Sequence, residues 1–174
     1  IIREDGVCPC VMTLYYTGGA TPHTQEMISD PSRREIIDST PQIRNIHLAN
    51  ITSRGHTAAA GVFVGLPERP IENVTLDNVV IDVIPRDFPY CPAMAFNCPD
   101  DMNGQGLWGR YVKNLSIRNC SISVDARSAL ALHDSDGLDL SHSRLETRGD
   151  GAQAVTLENV TDVVIESCRQ SPCP

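Results

Sequence analysis

The sequence predicts an all-β fold, a parallel β-helix (solenoid) of about five coils, and three observations support this prediction. A nine-residue unit occurs three times with its aliphatic and Asn positions kept, at Ile43–Ile51, Ile71–Val79 and Val112–Cys120. Aliphatic and polar residues alternate in each unit, which is typical of a strand with one buried face. No segment keeps apolar residues at helical spacing over three turns, so the pattern favours neither an α-solenoid nor leucine-rich repeats.

Two weaker copies continue the repeat, at Gly137–Ser143 and Val160–Cys168. One position of the repeat interrupts the alternation in all five copies, with separations of 28, 41, 23 and 25 residues. Its occupants are Asn45, Asn73, Asn114, Gly137 and Asp162. Asn and Gly accept left-handed backbone, so this position is predicted to be a bend between two short strands of one coil.

A further short strand is predicted before each unit. These strands are Val11–Tyr16, Val62–Leu66, Ala93–Phe96, Ala129–Leu132 and Ala154–Leu157. Residues 1–174 then form a single β-helix segment, with loop insertions at about 17–41 and 85–108 and a C-terminal tail at 169–174 that finishes the last coil. We expect the N-terminal end to be truncated, because nothing before Ile1 would cap the first coil.

Composition excludes several classes of function. The 174 residues carry a formal net charge of −8, and such a chain repels nucleic-acid phosphates. The longest nearly apolar run, Ala58–Leu66, is far shorter than the ~20 residues of a membrane span. No metal site or cofactor is predicted, since Cys8-Pro9-Cys10 supplies too few of the four ligands that zinc needs.

Three segments of the chain closely resemble the C-terminal third of glycoside hydrolase family 28, the polygalacturonase and rhamnogalacturonase family. They are Thr40–Ile46, Gly65–Leu76 and Gly106–Val112, and the Gly-Leu-Pro-Glu turn in the second is the most specific feature. The resemblance covers roughly residues 10–168. It implies a right-handed parallel β-helix, inverting hydrolysis of galacturonan by carboxyl groups on opposite sides of the bond, an acidic pectin-like polysaccharide as partner, and a secreted or periplasmic location.

The catalytic motifs of that family do not occur here in order. The motifs are Asn-x-Asp, Asp-Asp, Gly-His-Gly and Arg-Ile-Lys. Asp100-Asp101 is a bare pair in a Pro-rich loop, and Gly55-His56-Thr57 lacks the second glycine and precedes that pair. In the family the motifs come before the region that this chain resembles. The resemblance therefore implies that the catalytic carboxylates lie upstream of Ile1, that this chain alone is inactive, and that missing N-terminal coils or a partner chain complete the rod.

The resemblance also implies a sugar-binding tyrosine at the end of the first strand. Tyr16, or Tyr15, matches the tyrosine that lines the sugar site in the family. Adjacent strand residues point to opposite faces, so only one of them can face the cleft. The alternative is that both pack against the insertion that follows.

The cysteines give one disulfide prediction. Cys91 and Cys98 flank a short loop and are predicted to pair if the chain is exported, with Cys168 and Cys173, which flank the tail, as the less favoured pair. Cys120 and Cys168 hold the same position two coils apart, which is about 9.6 Å by strand spacing and too far for a bridge.

The segment His133-Asp134-Ser135-Asp136-Gly137 is interpreted as an Asp-Gly turn, with a calcium site as the alternative. Two other functions also fit the repeat. One is a non-catalytic carbohydrate-binding or adhesion β-helix, and the other is a calcium-dependent polysaccharide lyase.

Overall fold

The computed structural model describes residues 8–15, 30–54, 58–85, 87, 99 and 101–172. These residues form strands, bends and turns without a helix, and all eleven strands belong to one sheet. The strands are β1 (Val11–Thr13), β2 (Arg44–Ser53), β3 (Ala59–Val64), β4 (Ile71–Val83), β5 (Gln105–Arg110), β6 (Val112–Arg118), β7 (Ser121–Val124), β8 (Leu130–Ser141), β9 (Arg144–Thr147), β10 (Val155–Glu166) and β11 (Arg169–Pro172).

Every strand pairing is parallel, and the pairings form three stacks. The first stack contains β1, β3, β5 and the first halves of β8 and β10. The second contains the first halves of β2 and β4, then β6 and the second halves of β8 and β10. The third contains the ends of β2 and β4, then β7, β9 and β11. Stacks of this kind are consistent with a solenoid.

The register of the second stack confirms the predicted repeat. Ile46 lies beside Val74, Val74 beside Leu115, and Leu115 beside Leu138. Val163 follows beside Leu138 in β10. The partners are separated by 28, 41, 23 and 25 residues, as the bend positions predict. The 41-residue step therefore accommodates an insertion without shifting the pairing.

The predicted bends are confirmed by their backbone. All five predicted bend residues have positive φ, from 51° at Asp162 to 77° at Gly137. The amide of Asn73 donates to Asn45 at 2.9 Å, and the amide of Asn114 donates to Asn73 at 2.9 Å. This ladder ends at Gly137, whose added Cβ would lie 2.7 Å from the amide oxygen of Asn114.

The core lies between the stacks and is aliphatic. Its fully buried members include Leu76, Ile117 and Leu140 of the second stack and Ile122 and Leu145 of the third. Burying each such side chain contributes roughly 1.5–3 kcal/mol to the free energy of folding before entropy is counted. In β10 the equivalents Val163 and Ile165 are 38% and 41% exposed, because no described strand lies beyond them.

Two predictions about strands are corrected by the structure. The position beside β3 is filled by Gln105–Arg110, where the sequence predicted Ala93–Phe96, which lies outside the described residues. Gly106 lies so close to the next strand that an added Cβ would be 2.0 Å from the Ala129 carbonyl oxygen, so the position requires glycine. The predicted tail begins as a strand, since Arg169–Pro172 pairs with β9.

Candidate functional site

The outer side of the first stack, which we call the site face, carries two rows of side chains. Strand alternation puts Phe63 and Leu132 into the core, so the residues directly before and after each of them in the chain lie on this face. One row is mainly apolar and consists of Val11, Val62, Trp108, Ala131 and Thr156. The neighbouring row consists of Thr13, Val64, Arg110, His133 and Glu158. An apolar row therefore runs beside a row that ends in charged groups.

The charged end of the second row forms a cleft of about 290 Å³, which we call the Arg110 cleft. It is lined by Trp108, Arg110, His133, Asp134, Glu158 and Asn159. The guanidinium Nε of Arg110 donates to Asp134 at 2.9 Å, and Nδ1 of His133 lies 2.9 Å from a carboxylate oxygen of Glu158. The amide of Asn159 also donates to Asp134, at 3.1 Å. Three strands thus supply the guanidinium of Arg110, the imidazole and carboxylate of His133 and Asp134, and the carboxylate of Glu158.

Asp134 is held in its ionised form. Partial burial raises its pKa, but the hydrogen bonds from Asn159 and Arg110 outweigh burial, and the net result is a lowered pKa. Asp134 and Asn159 both have positive φ, so they form a further bend, at the end of the first stack. A carboxylate with a lowered pKa is a poor proton donor, since a glycosidase acid needs a raised pKa. Asp134 is therefore suited to binding.

Trp108 forms one wall of the Arg110 cleft. Its indole ring lies 5.5 Å from the His133 ring at an angle of 36°, and only 6% of the residue is exposed. The guanidinium of Arg110 lies 5.0 Å above the ring of Tyr111, a cation–π contact that holds the cation in place. The aromatic groups orient the charged ones and leave little ring surface open to a ligand.

Tyr15 lies on the same face, beside a second hollow of about 230 Å³. It packs with Val62, Val64 and Trp108 and is 2% exposed. Its hydroxyl is buried and has no hydrogen-bond partner among the described residues, and burial, followed by the charge of neighbouring Tyr111, raises the pKa of Tyr15 to about 12. Tyr15 therefore shares the site face, with its ring covered.

Several residues singled out by the sequence lie outside the described part of the chain, and the predictions about them stay predictions. Tyr16 and the predicted disulfide pair Cys91 and Cys98 lie outside the described residues, as do His56 and Asp100. Asp101 is described, and it binds Arg127 at 3.0 Å.

The described cysteines are free thiols. They are Cys8, Cys10, Cys120 and Cys168. The residues that follow Cys120 and Cys168 both lie beside Arg144 of the intervening strand β9. Ser143 therefore separates the two thiols, as predicted, and its hydroxyl accepts from the backbone N–H of Cys120 at 3.0 Å. Burial raises the pKa of Cys8 to about 12 and that of Cys10 to about 11, so neither is an activated nucleophile.

The segment His133–Gly137 lies within β8 and turns at two points, Asp134 and Gly137, which both have positive φ. Ser135 points inward between them and accepts from the backbone of Val112. Among residues 8–15, 30–54, 58–85, 87, 99 and 101–172, no three His, Cys, Asp or Glu side chains are grouped to hold a metal ion.

Sequence reasoning missed the Arg110 cleft, although a usable signal was present. The last two repeat separations, 23 and 25 residues, lead from Arg110 to His133 and from His133 to Glu158. The bend at Tyr111, Asp134 and Asn159 was also missed, because Tyr is a rare residue at positive φ.

Comparison with protein-family models, with curated proteins and with solved structures finds no match for this chain. The described part of the chain contains no helix long and apolar enough to cross a membrane.

Proposed function

We propose that this chain is the C-terminal portion of a pectin-degrading glycoside hydrolase of the polygalacturonase type, built as a right-handed parallel β-helix. The catalytic carboxylates come from residues upstream of Ile1. The chain contributes the site face, along which the polysaccharide lies. Secretion or export to the periplasm is part of the proposal, because pectin is an extracellular polymer.

The observation that carries this proposal is the in-register site face. Side chains of five successive strands lie in two straight rows, at strand spacings of about 4.8 Å. Such a line of contacts suits a linear polymer, because its polar groups can bind the hydroxyls of successive sugar units. The Gly-Leu-Pro-Glu turn at residues 65–68 and the strand that follows it give the resemblance to pectin hydrolases.

Charge and pKa favour a binding role for this part of the molecule. Asp134 is ionised and held by Arg110, and the side chain of Glu158 is 68% exposed to solvent. The pKa of Asp134 is lowered, whereas protonation of a leaving group requires a carboxyl with a raised pKa. This supports placing the acid and base elsewhere in the intact enzyme.

The test is hydrolysis by the intact gene product. We expect it to release reducing ends from polygalacturonate and to invert the anomeric configuration, and we expect the 174-residue chain alone to release none. Starch serves as the control polymer for unspecific hydrolysis. Hydrolysis of polygalacturonate by the 174-residue chain would show that the acid and base lie within it.

A non-catalytic carbohydrate-binding β-helix is the second candidate, favoured by the ionised state of Asp134. It predicts an intact gene product that is retained on a pectin affinity gel and releases no reducing ends. That outcome would replace the hydrolase by the binding module. Retention on the gel together with inversion during hydrolysis would exclude it.

A further inference from the structure

The Arg110 cleft has a charge balance that a free uronate does not fit. Two carboxylates, Asp134 and Glu158, face one guanidinium, and the guanidinium already binds Asp134 at 2.9 Å. The charge of Glu158 is opposed by His133 only while that imidazole is protonated. With histidines counted as neutral, as they are in the chain's formal net charge of −8, the cleft carries two negative charges against one positive charge.

We propose that the Arg110 cleft binds an uncharged sugar unit of the polysaccharide and discriminates against a free uronate. This rests on the proposed function, and it adds the chemical class of the unit bound at this position. An uncharged unit in a pectic chain is a neutral sugar or a methyl-esterified uronate. Both offer hydroxyls without a carboxylate.

The free hydrogen-bonding groups of the cleft suit hydroxyls. Within the described part of the chain, Arg110 donates to protein through Nε, which leaves its terminal amino groups to donate to sugar oxygens. One carboxylate oxygen of Glu158 accepts from His133, and the other is available to accept from a sugar hydroxyl. A uronate in the same place would put its carboxylate beside Glu158, and like charges at that range repel.

The apolar wall of the cleft adds a second reason, the cost of removing water from a carboxylate. Trp108 is 6% exposed and closes one side of the cleft, and its ring contacts His133. A carboxylate pressed against this wall would lose hydration without gaining an unpaired cation. A methyl ester or a deoxy-sugar methyl group loses little hydration there.

The experiment uses the 174-residue chain and the fluorescence of Trp108, the one tryptophan in the sequence. Tetragalacturonate, its methyl-esterified form and a rhamnogalacturonan backbone tetrasaccharide are titrated separately at pH 7. We expect the esterified tetramer to bind about tenfold more tightly than the free acid, the effect of one close like-charge contact. The rhamnogalacturonan probe distinguishes a neutral-sugar unit from an esterified one.

Two variants and a salt series make the result specific. Glu158→Gln removes the charge and should reduce the tenfold preference to about twofold. Glu166→Gln, an exposed change on the same strand outside the cleft, should leave it unchanged. In the unaltered chain, raising the salt from 0.01 M to 1 M should shrink the preference, because screening weakens the repulsion. The salt series decides the matter even if Glu158→Gln fails to fold.

Equal or tighter binding of the free acid, or a Trp108 signal that no probe changes, would overturn the proposal. Hydrolysis of polygalacturonate by the intact gene product is measured separately. Hydrolysis without the charge preference would overturn the inference about the Arg110 cleft and leave the proposed hydrolase function standing. A charge preference without hydrolysis of any pectic polymer removes the proposed hydrolase and leaves the cleft as a sugar site.

Discussion

Tyr15 combines a ring that packs well with a buried hydroxyl that has no partner in the part of the chain that the structure describes. Leaving a hydroxyl unsatisfied costs roughly 1–3 kcal/mol. The Tyr15→Phe variant should therefore be as stable as the parent or more stable by up to about that amount, as measured by urea unfolding. A loss of more than about 1 kcal/mol would show that the hydroxyl has a partner in the folded chain.

The same variant also addresses the predicted sugar contact. If the Tyr15 hydroxyl binds sugar, Tyr15→Phe should weaken pectin binding while the fold stays intact. Tyr15→Ala is the contrast, because removing a buried ring destabilises by roughly 3–5 kcal/mol. Binding unchanged in Tyr15→Phe would leave Tyr16 as the predicted sugar-contacting residue.

At the scale of elements, the Asn ladder keeps the bends of the second stack aligned. Asn114 has φ of 56° and donates to Asn73 at 2.9 Å. Asn114→Ala loses the hydrogen bond and replaces Asn, which tolerates left-handed backbone, by Ala, which disfavours it, so we expect a loss of about 2 kcal/mol of folding stability. Asn114→Gly accepts the left-handed backbone and loses only the hydrogen bond, so its folding stability should fall by about 1 kcal/mol. Thermal and urea unfolding measure both.

Lys113→Ala, an exposed change one residue earlier, is the control and should stay within about 0.5 kcal/mol of the parent. Equal losses for Asn114→Ala and Asn114→Gly would contradict the backbone part of the argument. A loss as large in Lys113→Ala would contradict the role of the ladder.

The elements also show which parts of the fold are predictable. The bend residues and the register of the second stack follow from the repeat, because Asn marks left-handed backbone and its spacing sets the alignment. β5 does not follow from the repeat, since Gly106 and Gly109 remove the alternating pattern and are explained only by close contact with the neighbouring segment at Ala129 and Leu132. The Arg110 cleft joins residues from three strands, so no local motif marks it.

At the scale of the whole molecule, carboxylates couple stability to pH. The pKa of Asp30 is lowered to about 2 by hydrogen bonds from Ser32 and Arg34. The pKa of Asp77 is lowered chiefly by Asn119, and that of Asp134 is lowered despite burial. A lowered folded-state pKa stabilises the fold above the unfolded value of about 3.9. That stabilisation is lost as the pH falls from about 4 toward 2.

Circular dichroism melts should therefore show a constant Tm from about pH 7 to 5 and a fall below about pH 4. Salt at about 0.1 M keeps changes in net charge from masking the effect. Asp134→Asn should give a shallower fall than the parent, and Asp139→Asn, an exposed carboxylate on the same strand, serves as the control. A Tm that stays level down to about pH 2.5 would contradict the linkage.

The strict parallel register makes the site face a molecular ruler. Tyr15 follows β1 and Arg110 ends β5, so two strand intervals, about 9.6 Å, separate the strands that carry them. A loop inserted between two paired strands does not alter this spacing, as the 41-residue step shows. Deleting or duplicating one strand of the stack changes the distance by one strand spacing. The distance between two contacts along a bound polymer is thus a whole number of strand spacings, set by how many strands lie between them.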